Sequence, residues 1–339
     1  MPRVTLQSIA DRVGVSRMSV SNAFSRPDQL SADLRERILA VAAELGYTGP
    51  DPSARSLATG MSGSIGVLWT QPLRLALSDP VTAGFLGAVA DELSADGLAI
   101  TMLPPTTPAH DVAMDAAIAY SCDPNAASVQ WLRRRGVPVV GVDMNWAGGA
   151  RVTVDDRGGT RRAAAHLVGL GHTRIAVLTP RVAGGSEPRV LAERMGGWFE
   201  GLNGVKPVVS FVDVFGDNRP NVVDLLQRHR PTAVLCISDL IAAAVLGAAA
   251  DLGLRVPTDL SVVGFDDHPV AAGLGLTTVA QDVDAKGRAA AQLIRQTLAR
   301  RGDPQVPRPA DIELPVHLVL RQTTGPARPM TGRVEPAGS

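Results

Sequence analysis

At 339 residues, with 45% hydrophobic and 19% charged side chains, the chain is long enough for more than one domain and for a large buried core. Its 33 lysines and arginines balance 33 acidic residues, which excludes a protein that coats nucleic acid through massed positive charge. No apolar run reaches the length of a membrane span, the N-terminus lacks the basic-then-apolar layout of a secretion signal, and Cys122 and Cys236 match no disulfide or metal-ligand spacing, so a cytoplasmic protein without metal or cofactor is expected.

The first predicted elements form one unit. Leu6, Ile9, Ala10 and Val13 fall at helical spacing, Gly14 permits a sharp reversal, and Val15 plugs the angle to the next helix. Ser16 is placed to cap that second helix, on which Val20 and Phe24 turn inward and Arg17, Met18, Ser21 and Asn22 stay outside. A helix-turn-helix lays such a face in the major groove of DNA, where base sequence is read. An ordinary αα-corner has the same local signature. Its place ahead of a chain of different character favours DNA. Ser25 to Leu30 is turn-rich, and Ser31 caps a third helix with Leu34, Ile38, Val41 and Leu45 at helical spacing. Gly46 ends it, and Tyr47 closes the edge of the cluster. Over residues 1–60 seven arginines stand against six carboxylates, so affinity requires two copies.

Asp51 to Gly60 reads as a short helix with Asp51 as cap and Pro52 in the first turn. A helix of this length is marginal alone and forms when a partner helix or DNA holds it. Leu57 is exposed on it, unless the segment is a plain tether. These boundaries divide the chain into a head (1–48), a linker with hinge helix (49–62), a core (63–324) and a disordered tail (325–339).

From Ser64 apolar strands alternate with helices. Strands are predicted at 65–69, 98–103, 116–120 and 137–142, then at 174–179, 208–212, 233–237 and 260–265. Helices are predicted at 81–95, 129–135, 157–170, 189–202, 220–230, 240–252 and 284–301, those before Gly171 and after Gln281 lying at the junction of the halves. Strands apolar throughout imply parallel sheets covered on both faces, and two successive doubly wound halves account for the pattern.

Ligands of such sheets bind beyond the carboxyl ends of the strands. The polar residues there are Ser78, Asp79, Asp143, Arg194, Ser238, Asp239, Asp266 and Asp267. Carboxylates that accept and a guanidinium that donates suit a hydroxyl-rich small molecule. Asp239 and Asp267 read instead as helix caps. His166 and His172 read as packed residues at a helix end. Gly184, Gly185 and Ser186 form a loop that passes near the ligand only if the fold brings it there. No phosphate loop, zinc motif or nucleophile elbow is present in the sequence.

With these residues in place the chain resembles the LacI/GalR family of bacterial transcriptional repressors, from Val4 to about Arg321. The resemblance rests on Val4-Thr5-Leu6 with Ile9-Ala10, Gly14-Val15-Ser16, Ser19-Val20-Ser21, Leu45-Gly46-Tyr47, and Ala54 with Leu57. It continues through Asp156 with Gly159, the run from His166 to Ile175, Arg194 with Gly197, Ser261 to Asp267, Thr277 to Val279, and Gly287. It implies a three-helix helix-turn-helix head on a periplasmic-binding-protein-like α/β core of two doubly wound parallel-sheet subdomains. It implies a homodimer on a pseudo-palindromic operator, controlled by a small sugar-like or nucleoside-like effector in the interlobe cleft.

Arg17, Met18 and Asn22 match base-reading positions, and Thr5, Leu6, Ser16, Ser21, Ser31 and Ala54 join them on the DNA-binding surface. Leu57 matches the hinge leucine placed in the minor groove, where a wedge kinks the duplex. Ser78, Asp79, Asp143, Arg194, Ser238 and Asp266 are the effector positions implied. Ser238 departs from a frequent Asn and Asn22 from a frequent Arg, which leaves ligand and operator open. The alternative is a helix-turn-helix fused to an α/β enzyme acting on a sugar or nucleotide, which needs a nucleophile and base that the sequence does not display. A DNA-architectural protein with a vestigial cleft is disfavoured by the balanced charge.

Overall fold

A computed structural model describes residues 4–49, 51, 56–57, 59–69, 72–104, 109–181, 188–213, 216–303 and 305–328. They fall into two compact units that divide between Gly63 and Ser64.

The head holds α1 (Leu6–Val13), α2 (Arg17–Ser25) and α3 (Ala32–Glu44). Each begins on a hydroxyl cap: Thr5 accepts the Ser8 amide, Ser16 that of Ser19 and Ser31 that of Leu34. Gly14 ends α1 at φ +79°, the left-handed conformation that the reversal demands. Ile9, Ala10, Val20, Ala23, Ile38 and Ala42 bury a common core, and Tyr47 closes its edge against Phe24, ring centroids 5.5 Å apart. Ser56, Leu57 and Thr59 are helical, and the Gly60 amide donates to the Ser56 carbonyl at 2.8 Å. Ala54 and the start of the expected hinge helix lie outside the described residues, as does the loop from Gly184 to Ser186.

The second unit holds two six-stranded sheets. In the first lobe β1 (Ser64–Leu68), β2 (Ala99–Leu103), β3 (Ala116–Tyr120), β4 (Val139–Val142) and β5 (Arg151–Val154) pair in parallel. In the second lobe β6 (Ile175–Pro180), β7 (Val208–Val212), β8 (Ala233–Cys236), β9 (Ser261–Asp266) and β10 (Thr277–Gln281) do the same. Near the C-terminus β11 (Ile312–Leu314) returns to the first sheet beside β5, and β12 (Val316–Val319) joins the second antiparallel to β10. The helices are α4 (Leu73–Ser78), α5 (Pro80–Ser94), α6 (Ala127–Arg134), α7 (Asp156–Gly169), α8 (Arg189–Gly201), α9 (Arg219–His229), α10 (Asp239–Asp251), α11 (Pro269–Gly273) and α12 (Val283–Gly302).

The halves are therefore interleaved rather than simply successive. The chain crosses after β5, after β10 and between β11 and β12. Helix α12 follows β10 of the second sheet in sequence but packs in the first lobe, where Arg295 pairs with Glu92 and Asp96 of the segment around α5. One strand is antiparallel, and β5, β10, β11 and β12 escape the sequence pattern because they are short or rich in threonine. Each lobe closes on its own large apolar core, around Phe85 and Ile118 in the first and Trp198 and Phe265 in the second. Burying one such side chain contributes about 1.5–3 kcal/mol.

The tail also differs from its polar, aperiodic composition. Gly325 to Arg328 is docked: the Gly325 carbonyl meets His172 Nε2 at 3.0 Å, the Ala327 amide donates to the Leu170 carbonyl, and Arg328 pairs with Asp259. Backbone hydrogen bonds of this kind need no periodic side chains. His172, only 2% exposed, is thus a packed residue, as expected.

Candidate functional site

A cavity of about 240 Å³ opens between the lobes at the carboxyl ends of their strands. Trp69, Asp79, Tyr120 and Asp143 line it from the first lobe, and Arg194, Ser238, Asp266 and His268 from the second. Asp143 follows β4 and Asp266 ends β9, equivalent places in the two sheets, and both have positive φ, +53° and +107°. Left-handed backbone at a non-glycine residue stores strain that binding sites commonly keep.

A buried polar chain runs beneath the cavity. Lys286 Nζ donates to Asp143 Oδ2 at 2.6 Å and to Gln281 Oε1 at 2.5 Å, and Gln281 Nε2 donates to Asp266 Oδ1 at 2.8 Å. Arg194 donates to Asp266 at 3.2 Å, to the Ile237 carbonyl at 2.6 Å and to Asp156 at 2.9 Å, with its guanidinium 3.5 Å from the Phe265 ring centroid. Arg189 completes the chain on Asp156 at 3.0 Å. Among the described residues three buried polar atoms of the lining have no partner: Trp69 Nε1, Asp143 Oδ1 and His268 Nε2. Such atoms are costly to bury unless something supplies their hydrogen bonds.

Five of the six effector residues anticipated from sequence meet here. Asp79 also caps α5, accepting the amides of Val81 and Thr82. Ser238 caps α10 by accepting the Ile241 amide, so the cap expected of Asp239 belongs to its neighbour. Asp239 is instead fully buried, accepting the Thr278 hydroxyl and the His268 amide. Asp267 caps nothing either and pairs with Arg321 at 2.7 Å. Ser78 is not brought to the cavity. It ends the unforeseen α4, and its exposed hydroxyl donates back to the Leu75 carbonyl.

The sequence does not mark Lys286, Gln281 or Trp69 as site residues, and Asp156 enters only through a motif. Lys286 did carry a signal. It is one of two lysines in the chain and stands on the inward face of α12, where Ala290 and Leu293 continue the apolar stripe.

Burial pushes the Asp266 carboxyl up to about 6, with Arg194 opposing and Asp79 adding to the rise. Burial also pushes Asp239 up to about 7, reinforced by Asp266 and opposed by the Thr278 hydroxyl and the His268 amide. A carboxyl whose pKa rises on folding binds its proton more tightly when folded, so its contribution to stability falls as pH rises from about 4 to about 7. Partial burial of His166 and burial of His172 shift both down, and they act in the opposite sense. The comparison that isolates Asp239 is therefore between wild type and Asp239→Asn. The variant should lose less stability than wild type between pH 5.5 and 8 in urea titrations, whatever the constant offset; parallel curves would refute the shift.

On the head, Arg17 and Met18 are exposed, Met18 at 69%, while Ser21 and Asn22 are half-buried on the same outer face. Asn22 Nδ2 donates to Gln29 Oε1 at 3.1 Å. Leu57 is 87% exposed. Thr5, Ser16 and Ser31 sit at helix N-termini, and Leu6 packs partly against the head core. Among the described residues no His, Cys and carboxylate cluster suits a metal ion, and no helix is long and apolar enough to cross a membrane.

A three-helix head with an exposed second helix and a two-lobed core with a polar cleft have the layout of a DNA-binding protein with a small-molecule domain. The family model for bacterial regulatory proteins of the lacI family matches residues 5–50, and that for a periplasmic binding protein-like domain matches residues 164–324. HTH-type transcriptional regulator Rv3575c of Mycobacterium tuberculosis is 36% identical, over 96% of this chain and 98% of its own. The lac repressor dimer bound to operator and the anti-inducer ONPF is similar at TM-score 0.78 and 26% identity, covering 95% and 99% of the two chains. A complex of transcriptional regulator CelR with cellobiose is similar at TM-score 0.66 and 26% identity, covering 95% and 100%. The chain belongs to the LacI family of bacterial transcriptional regulators. That family acts on transcription rather than catalysis, which sets aside the fused-enzyme alternative.

Proposed function

We propose that the protein is a repressor that binds a pseudo-palindromic operator as a homodimer and is controlled by a small polar effector, sugar-like or nucleoside-like, in the interlobe cleft. The observation that carries this is the set of unpartnered buried atoms of Trp69, Asp143 and His268 on a cavity walled by both lobes. An indole donor, a carboxylate acceptor and the aromatic faces of Trp69 and Tyr120 suit a molecule with hydroxyls on its edges and an apolar ring face. Complexes of relatives with ONPF and with cellobiose support the same reading.

Control follows from linkage. A ligand that touches both lobes favours one closure about the three crossovers, and the closure sets how paired hinge segments meet the DNA. Leu57 then enters the minor groove and Arg17, Met18 and Asn22 read the major groove. A thermal-shift screen of sugars, polyols and nucleosides, with each hit retested for altered operator binding, tests this. A hit that changes operator affinity supports it, and hits without effect on DNA contradict it.

The reading of Arg17 is tested separately. Arg17→Ala should lower specific DNA affinity by about 1–3 kcal/mol and relax base preference at one symmetric position. An unchanged preference in binding-site selection would rule out that role.

A further inference from the structure

The charges of the cleft are disposed against anions. Among the described residues three carboxylates, Asp79, Asp143 and Asp266, line it with one guanidinium, that of Arg194. Helix N-termini are ready anion sites, but Asp79 takes the Val81 and Thr82 amides of α5 together with the Thr82 hydroxyl, and Ser238 caps α10. Arg194 is matched by two carboxylates, Asp156 and Asp266. Lys286, 2% exposed, is held by Asp143 and Gln281.

What remains for a ligand at Asp143 is Oδ1, buried and unpartnered. A carboxylate oxygen only accepts, so its partner must donate. A hydroxyl does so. A phosphate or carboxylate brings a like charge into a site screened less than bulk water.

We propose that the buried Lys286–Asp143 pair is the specificity device of the cleft: Asp143 masks the lysine charge and presents an acceptor, so the cleft takes an uncharged hydroxyl-bearing ligand and excludes its phosphate ester. The inference rests on the effector reading above but not on which neutral compound is the effector. Lys286 is a positioning residue, acting through Asp143. Neutralising Asp143 should unmask it and turn an anion-excluding cleft into an anion-binding one, an outcome that a purely structural ion pair does not give.

Titration calorimetry at constant ionic strength, with inorganic phosphate, glucose 6-phosphate and glucose as probes, tests the pair. Wild type should show no saturable binding of phosphate or glucose 6-phosphate. Asp143→Asn should bind phosphate at least about tenfold more tightly than wild type, a change of about 1.4 kcal/mol. Adding Lys286→Met to Asp143→Asn should abolish the gain. Should Asp143→Asn fail to fold, Asp143→Ser carries the same expectation. Saturable binding of either phosphate compound to wild type, or no gain in the Asp143 variant, overturns the proposal. Failure of the effector reading is separate: it shows as no glucose, other sugar, polyol or nucleoside binding at all, whereas the phosphate gain is read on the variant alone.

Discussion

Arg194→Met should destabilise the core by about 3–5 kcal/mol near neutral pH, the range for removing one partner of a buried ion pair. The side chain is 6% exposed, and it is the charge between Asp156 and Asp266 as well as the donor to the Ile237 carbonyl. Met fills similar volume over Phe265 but leaves two carboxylates facing each other without that cation. Arg189 still reaches Asp156, and Gln281 still reaches Asp266, which keeps the loss below that of two bare charges. Burial already pushes both carboxyls upward, and Arg194 is the foremost of the groups that oppose it, ahead of Lys286. In its absence both should take up protons as pH falls, so the loss measured in urea should be smaller at pH 5.5 than at pH 8. An equal loss at both pH values would mean that the variant acts through packing and not through charge.

The second large effect lies in the packing that holds Arg194. Helix α8 approaches α7 through Gly197 and Gly201, and a Cβ at Gly197 would stand 2.1 Å from the Arg157 carbonyl and 2.2 Å from Thr160 Oγ1. Gly197→Ala gains about 1 kcal/mol of helix propensity and loses more by forcing the backbones apart, for a net destabilisation of roughly 1–3 kcal/mol. Arg194 is one turn earlier on α8, so a ligand of the cleft should also bind more weakly. Gly247→Ala is the control. It lies within α10, where an added Cβ meets nothing within 4 Å, and should stabilise the chain by up to about 1 kcal/mol. Equal shifts in melting temperature for the two variants would contradict the close-packing account.

How much of this was legible depended on the range over which each feature is decided. The caps at Ser16 and Ser31 and the turn at Gly14 are local, and the sequence predicts them at the residues observed. Asp143, Arg194 and Asp266 were reachable because strand ends collect ligands. Lys286 meets Asp143 across 143 positions, so nothing near either residue marks the pair. Exchange of the α10 cap from Asp239 to Ser238 turns on one residue of register, and Asp239 is drawn inward by Thr278 and His268, which are remote in sequence. Ser78 was misplaced because α4 has only six residues, too few for a periodic signature. The interleaving of the lobes depends on β11 and β12, whose pairings with β5 and β10 are long-range and whose segments are short.

Under the control proposed above, cleft occupancy and operator binding share one free energy. The most direct test measures operator affinity with and without a ligand found by the screen, and ligand affinity with and without the operator, on the full chain at one salt concentration. Linkage requires the two factors to be equal, in the range of about 5–150-fold for ordinary allosteric coupling. Equal factors different from one are the expected result. A ligand that fills the cleft and leaves operator affinity unchanged would mean that the two sites are not coupled.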